Sequence, residues 1–153
     1  MSFEHICVAV DFSDTSREAL RAAARLARNA RLTLVYVWHA QHPYGSFSGD
    51  EVNAVVDEGH QSKMREWIAE ATAHGASNVD ATFLTGDPAD AIVEHLRADA
   101  SIDLVVAGTH GRTGLAHIFL GSVAEKIVRR SPCAVMVIPT ASRGRAPVGE
   151  APA

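Results

Sequence analysis

Five apolar runs punctuate the chain, and segments of helical period separate them. The runs are Ile6-Cys7-Val8-Ala9-Val10, residues 32–38, residues 79–84, residues 102–107 and Ala134-Val135-Met136-Val137-Ile138. Four of the five are apolar almost throughout, the pattern of strands covered on both faces by helices. The third, Val79-Asp80-Ala81-Thr82-Phe83-Leu84, alternates more than the others, which suits a sheet edge or a half-exposed strand.

Between the runs the period changes to 3.6. Ser16, Ala19, Leu20, Ala23, Ala24 and Ala27 make a stripe of small residues suited to a helix lying close on a sheet. Thr15-Ser16-Arg17-Glu18 reads as a capping box, so this helix is expected to begin near Ser13 to Thr15. A second helix is expected over about residues 51–74, ending at Gly75. A third starts at Asp87-Pro88, where an acidic cap precedes proline at the first helical position. The fourth carries Val123, Ala124, Ile127 and Val128 on one face and closes with Arg129-Arg130-Ser131-Pro132. Strand–helix alternation repeated four times and closed by a strand implies a single-domain α/β fold with a doubly wound, five-stranded parallel sheet. Right-handed crossovers place helices on both faces. Two segments fall outside this scheme: a turn-rich loop at residues 40–50, and residues 140–153, whose composition predicts a disordered tail after a domain spanning 1–139.

Composition narrows the function. The chain has 153 residues, 47% hydrophobic and 21% charged, enough for one domain with its own core. A net charge of −4 argues against a general nucleic-acid binder. The N-terminus has no basic region ahead of a cleavage site, and no stretch reaches the 18 or so apolar residues of a membrane span, so a cytoplasmic protein without a membrane partner is expected. Cys7 and Cys133 both lie in apolar runs and read as inert core thiols. Eight histidines raise the question of a metal, but no H-x-H, H-E-x-x-H or C-x-x-C occurs, and His39 and His42 are followed by Pro43. No metal site is expected, and no G-x-S-x-G elbow marks a hydrolase. Trp38, Tyr44, Phe47 and Trp67 read as core packing and loop anchors.

In open α/β sheets ligands bind beyond the carboxyl ends of the strands, where strand order reverses. The loop after the fourth run is the unusual one: Gly108-Thr109-His110-Gly111-Arg112-Thr113-Gly114, ending at Gly121-Ser122. Gly108 leaves room for a ligand against the backbone. Gly111 and Gly114 permit the positive φ of an anion nest, and Gly121-Ser122 opens a helix whose first N–H groups favour phosphate. The same loop reads equally as a turn, with Ser122-Val123-Ala124-Glu125 a capping box in its own right. Neither a Walker lysine nor G-x-G-x-x-G after the first strand is present.

Gly108, Gly111, Gly121 and Ser122 fit G-x2-G-x9-G-[ST] without gaps, and in this the chain resembles the universal stress protein family. The Val8-Ala9-Val10-Asp11-Phe12-Ser13 opening and the Ser-Pro-Cys-Ala-Val-Met-Val-Ile-Pro ending are similar to that family too. The resemblance implies an adenine nucleotide α-hydrolase-like sheet of strand order 3-2-1-4-5 and, because the glycine motif is intact, the ATP-binding branch. It implies nucleoside contacts from Ala9, Val10, Asp11 and Ser13, an adenine border at Val37, and phosphates wrapped by Gly108, Thr109, Gly111, Gly121, Ser122 and Val123. Asp11 is an acceptor suited to ribose hydroxyls, with a cap on the first helix as the competing role. His110 and Arg112 offer charge-assisted contacts or stand as solvated loop residues. Mg²⁺ is expected to accompany ATP through phosphate oxygens and water. AMP or cyclic AMP would fit as well, and without a Walker lysine hydrolysis is expected to be slow or absent. Family resemblance also implies a homodimer through the strand 5 edge, Val135 to Ile138. The competing expectations are a nucleotide-free dimeric interaction module and an enzyme related to ATP pyrophosphatases or flavoproteins. The enzyme reading lacks the Ser-Gly-Gly-x-Asp or hydroxyl-rich loop it needs after the first strand.

Overall fold

The computed structural model describes residues 2–38, 58–109 and 120–139. The elements in chain order are β1 (His5–Ala9), α1 (Asp14–Leu26), β2 (Arg31–Trp38), α2 (Glu58–Ala73), β3 (Asn78–Thr85), α3 (Pro88–Ala98), β4 (Leu104–Gly108), α4 (Ser122–Arg130) and β5 (Ala134–Ile138). The loop at 40–50, the expected first turns of α2 at 51–57 and the tail at 140–153 lie outside the described residues.

All four strand pairings are parallel, and the sheet order is β3-β2-β1-β4-β5. The chain winds outward from β1 to β3, then crosses back to β4 and winds the other way, so the order reverses between β1 and β4. The two central strands are buried along nearly their whole length, whereas both edges are half-exposed. The alternating third run is therefore an edge strand, as its pattern indicated. No described helix is long and apolar enough to cross a membrane.

Period-two alternation sends successive side chains to opposite faces. Ile6 and Val8 of β1, with Leu32 and Leu34 of β2, pack under α1 and α2; Cys7, Val35 and Val105 pack under α3 and α4. Each fully buried aliphatic chain of this kind contributes about 1.5–3 kcal/mol relative to exposure. The alanine stripe of α1 is fully buried, and this lets the helix backbone come close to the sheet. A Cβ built on Gly108 would sit 2.5 Å from Thr15 Cγ2 and 3.1 Å from Thr15 O. Contact with the first turn of α1 thus requires glycine at this position, not only the ligand access expected from sequence.

The starts of α1 and α3 fall where the sequence places them, whereas other caps and boundaries differ from expectation. The cap of α1 is Ser13, whose hydroxyl accepts from the Ser16 N–H at 3.2 Å, so Thr15 to Glu18 lie inside the helix. Asp87 caps α3 through the Asp90 N–H at 3.1 Å, with Pro88 first in the helix. The N-cap of α4 is Gly121 and no side chain caps it, so the Ser122–Glu125 box does not form. Val128 is 45% exposed rather than part of the buried stripe of α4, which consists of Ala124 and Ile127. β4 begins at Leu104, later than the apolar run; just before it the Asp103 N–H donates to His5 O at 3.0 Å, and its carboxylate accepts from the Glu4 N–H at 2.8 Å and the His5 N–H at 3.1 Å. Cys7 is buried, and burial pushes its thiol up; Cys133 precedes β5 and is only half-buried.

Candidate functional site

A cleft of about 620 Å³ opens at the carboxyl ends of β1, β2 and β4, where the strand order reverses. That volume suits a small organic ligand. Its floor is the end of β1 and β4: Ala9, Val10, Ala107 and Gly108. Val35 and Val37 of β2, with Pro88 and Ile92 of α3, form an apolar wall; Thr109 and Gly121 to Ala124 form the opposite one. Tyr36, Trp38 and His60 close the side towards α2.

Asp11 is the one carboxylate among the described residues that lines the cleft. Its Oδ1 accepts from the Ser13 N–H at 2.9 Å, and its own N–H donates to Ser16 Oγ at 3.2 Å. This small turn sets the carboxylate just beyond β1, while the capping of α1 falls to Ser13. Between them Phe12 has a φ of 63°, the only positive φ at a non-glycine among the described residues. Its ring stacks on Tyr36 at 5.0 Å and meets Trp67 edge-on at 5.1 Å.

The second half of the site is the start of α4. The Gly121 N–H donates to Thr109 O, and the Thr109 N–H donates to Ile138 O at 3.0 Å. The two ends of the glycine-rich segment are thereby pinned together beside the end of β4. The first turn of α4, Ser122 to Ala124, lines the cleft without a side-chain cap. A helix N-terminus in this state presents unpaired N–H groups and the positive end of the helix dipole. Among the described residues no lysine or arginine lines the cleft, so an anion here meets main-chain donors and the Ser122 hydroxyl. No group of three His, Cys, Asp or Glu side chains among the described residues is placed to hold a metal.

Ala9, Val10, Asp11, Val37, Gly108, Thr109, Gly121, Ser122 and Val123 are all brought to this cleft. Ser13 is not among its lining residues; its hydroxyl is spent on the Ser16 N–H, and Ser16 lines the cleft instead. His110, Gly111 and Arg112, like Gly114, lie outside the described residues. Trp38 packs against the core as expected and also lines the cleft; Trp67, 2% exposed, is core. Sequence reasoning missed Tyr36, His60 and Ile92 as cleft residues. Tyr36 comes from the largely apolar second run, where no alternation marked its face, and nothing local pointed to His60, which arrives from α2.

A second polar cluster lies at the opposite, amino end of the sheet. His5, 4% exposed, contacts Thr33 Oγ1 at 2.8 Å and Ser101 Oγ at 2.9 Å. Thr33 donates to Asp80 and Ser101 to Asp99, both at 2.6 Å. Burial, and then the Arg31 guanidinium, lower the pKa of the His5 imidazole.

An open parallel sheet ordered 3-2-1-4-5, with its cleft at the reversal, belongs to the adenine nucleotide α-hydrolase-like class of α/β proteins. The model of the universal stress protein family matches residues 2–139, and the chain belongs to that family. It is 32% identical over 149 residues to the universal stress protein YxiE of Bacillus subtilis, covering 89% of this chain and 99% of that one. A crystal structure of a universal stress protein in complex with cAMP superposes with a TM-score of 0.67 at 27% identity, covering 90% of this chain and 98% of the other. The universal stress protein of Archaeoglobus fulgidus in complex with dAMP gives a TM-score of 0.63 at 26% identity, covering 90% and 99%.

Proposed function

We propose that the chain is an ATP-binding regulatory protein of the stress response, whose nucleotide lies in the cleft between β1 and β4. The observation that carries this reading is the convergence of Asp11, Gly108 and the uncapped start of α4 on one cavity of nucleotide size. In this arrangement Val37 and Ile92 border the adenine. The Asp11 carboxylate accepts from ribose hydroxyls, and the N–H groups of Ser122 and Val123, with the Ser122 hydroxyl, hold phosphate oxygens, the Gly121 N–H being spent on Thr109 O. Gly111, with His110 and the Arg112 guanidinium, is assigned to the phosphate end as well. Solved relatives that hold cAMP and dAMP support an adenine nucleotide in the same family. Mg²⁺ would reach the site on the phosphates, with Asp11 the nearest anionic candidate within the described cleft.

Asp11, Tyr36 and His60 are the titratable side chains lining the cleft among the described residues, and none of them is a lysine or arginine. With no lysine there to neutralise a leaving phosphate, turnover is slow or absent, and bound nucleotide acts as a regulatory ligand. The half-exposed β5 edge, Val135 to Ile138, is the surface we assign to a homodimer in the cytoplasm. A monomeric mass by light scattering would remove the dimer without touching the nucleotide site.

Isothermal titration with ATP and Mg²⁺ tests the reading. Binding with a Kd at or below about 100 µM is expected, weakened at least about tenfold by Gly121→Val. No heat of binding at that concentration would leave a nucleotide-free interaction module as the better description.

A further inference from the structure

The backbone of Phe12 and the environment of its ring require a common explanation. We propose that Phe12 is the positioning residue of the cleft, its ring clamped by β2 and α2 so that the neighbouring Asp11 carboxylate is held for the ribose hydroxyls. This rests on the nucleotide reading above.

A bulky residue avoids φ near 63°, and such a conformation persists only where its surroundings over-determine it. Burying a phenyl ring does not demand it, since most core aromatics sit on relaxed backbone. Here the ring is held on three sides: Tyr36 stacked at 5.0 Å and 25°, Trp67 edge-on at 5.1 Å and 87°, and Lys63 Nζ at 5.7 Å from its centroid. The Asp11 carboxylate accepts the N–H of Ser13, the residue on the far side of Phe12. Turning Phe12 to a relaxed negative φ would swing that N–H away and pull the ring from its slot. The left-handed backbone, the carboxylate's position and the seated ring therefore form one arrangement with two states, seated and released.

Helix α2 touches both ends of this arrangement. Trp67 grips the Phe12 ring, and His60, 5.4 Å from Tyr36 and 5.0 Å from Trp38, lines the cleft. A ligand that engages Asp11 favours the seated state, and by reciprocity a loosened α2 weakens that ligand.

The test compares ATP with 2′,3′-dideoxy-ATP on the full chain, for wild type, Phe12→Ala, Asp11→Ala and the double variant. Wild type is expected to prefer ATP about tenfold, and Phe12→Ala to lose most of that preference. The double variant should bind no worse than Asp11→Ala, the non-additivity of residues acting as one unit. Trp67→Leu removes the slot from α2 without touching the β1–α1 turn, and should show the same loss of preference; it carries the test if Phe12→Ala does not fold. A Phe12→Ala protein that binds both nucleotides more weakly yet keeps the full ATP preference would overturn the proposal, as would wild type that binds ATP without discriminating. Wild type that binds neither would overturn the nucleotide reading itself.

Discussion

His5 shows how a single buried group makes the whole molecule sensitive to pH. Its imidazole is held below its ordinary value of 6.5, chiefly by burial and then by Arg31, against the opposing pull of Asp99, Asp80 and Asp103. Thr33 and Ser101, whose hydroxyl protons go to Asp80 and Asp99, favour the imidazolium, but burial outweighs them, so the folded state resists a proton that the unfolded chain accepts. Stability is full above about 6.5 and falls as the pH drops from there towards the folded value. Asp99 acts lower down: hydrogen bonds from Ser101 hold its carboxyl below 3.8, so its contribution is lost only in stronger acid. The melting temperature should thus fall between pH 7 and pH 5, and His5→Gln should flatten that slope; an unchanged slope would assign it to other histidines. None of this was legible in the sequence, where His5 is one more polar residue before an apolar run. Its partners Thr33 and Ser101 are 28 and 96 positions away. Phe12 was illegible for the same reason, since the residues that hold its backbone come from β2 and α2. The place of Asp11 in the cleft was legible because it directly follows the first apolar run, at the carboxyl end where such sheets bind ligands.

At the scale of elements, tertiary contact decided what local pattern left open. Gly108 adjoins Thr15 across the α1–β4 packing, so Gly108→Ala should cost roughly 1–3 kcal/mol, with Thr15→Ser recovering part of it by removing Cγ2. Thermal melts without nucleotide check this; a neutral Gly108→Ala would show that the packing gives way freely. The two serines at helix starts offer a sharper contrast. Ser13 caps α1, and its replacement by alanine should cost about 1 kcal/mol. Ser122 caps nothing, so Ser122→Ala should leave the apo melt nearly unchanged while weakening ATP binding. Equal destabilisation by both would mean that Ser122 acts as a structural cap after all. A one-residue shift separates the two roles, and the bond from Gly121 to Thr109 sets it. That bond joins positions no local pattern connects. Strand positions and helix faces were far more readable, because most strand runs were apolar and bounded by turn residues.

For the whole molecule, the reversal between β1 and β4 gathers residues from both ends of the chain into one cleft. Sequence gave the parallel sheet through its alternation of periods, and the strand order through the glycine motif and its family resemblance. It did not reveal that α2 reaches the cleft, because helix–sheet placement emerges only once both faces are packed. The proposed nucleotide binding depends on phosphate capture by main-chain amides. Amide chemical shifts recorded during an ATP titration of ¹⁵N-labelled protein report on it most directly. Large downfield shifts at the Ser122 and Val123 amides, saturating together with changes at Asp11, are the predicted result. Saturable binding that leaves the amides of α4 unmoved would contradict it.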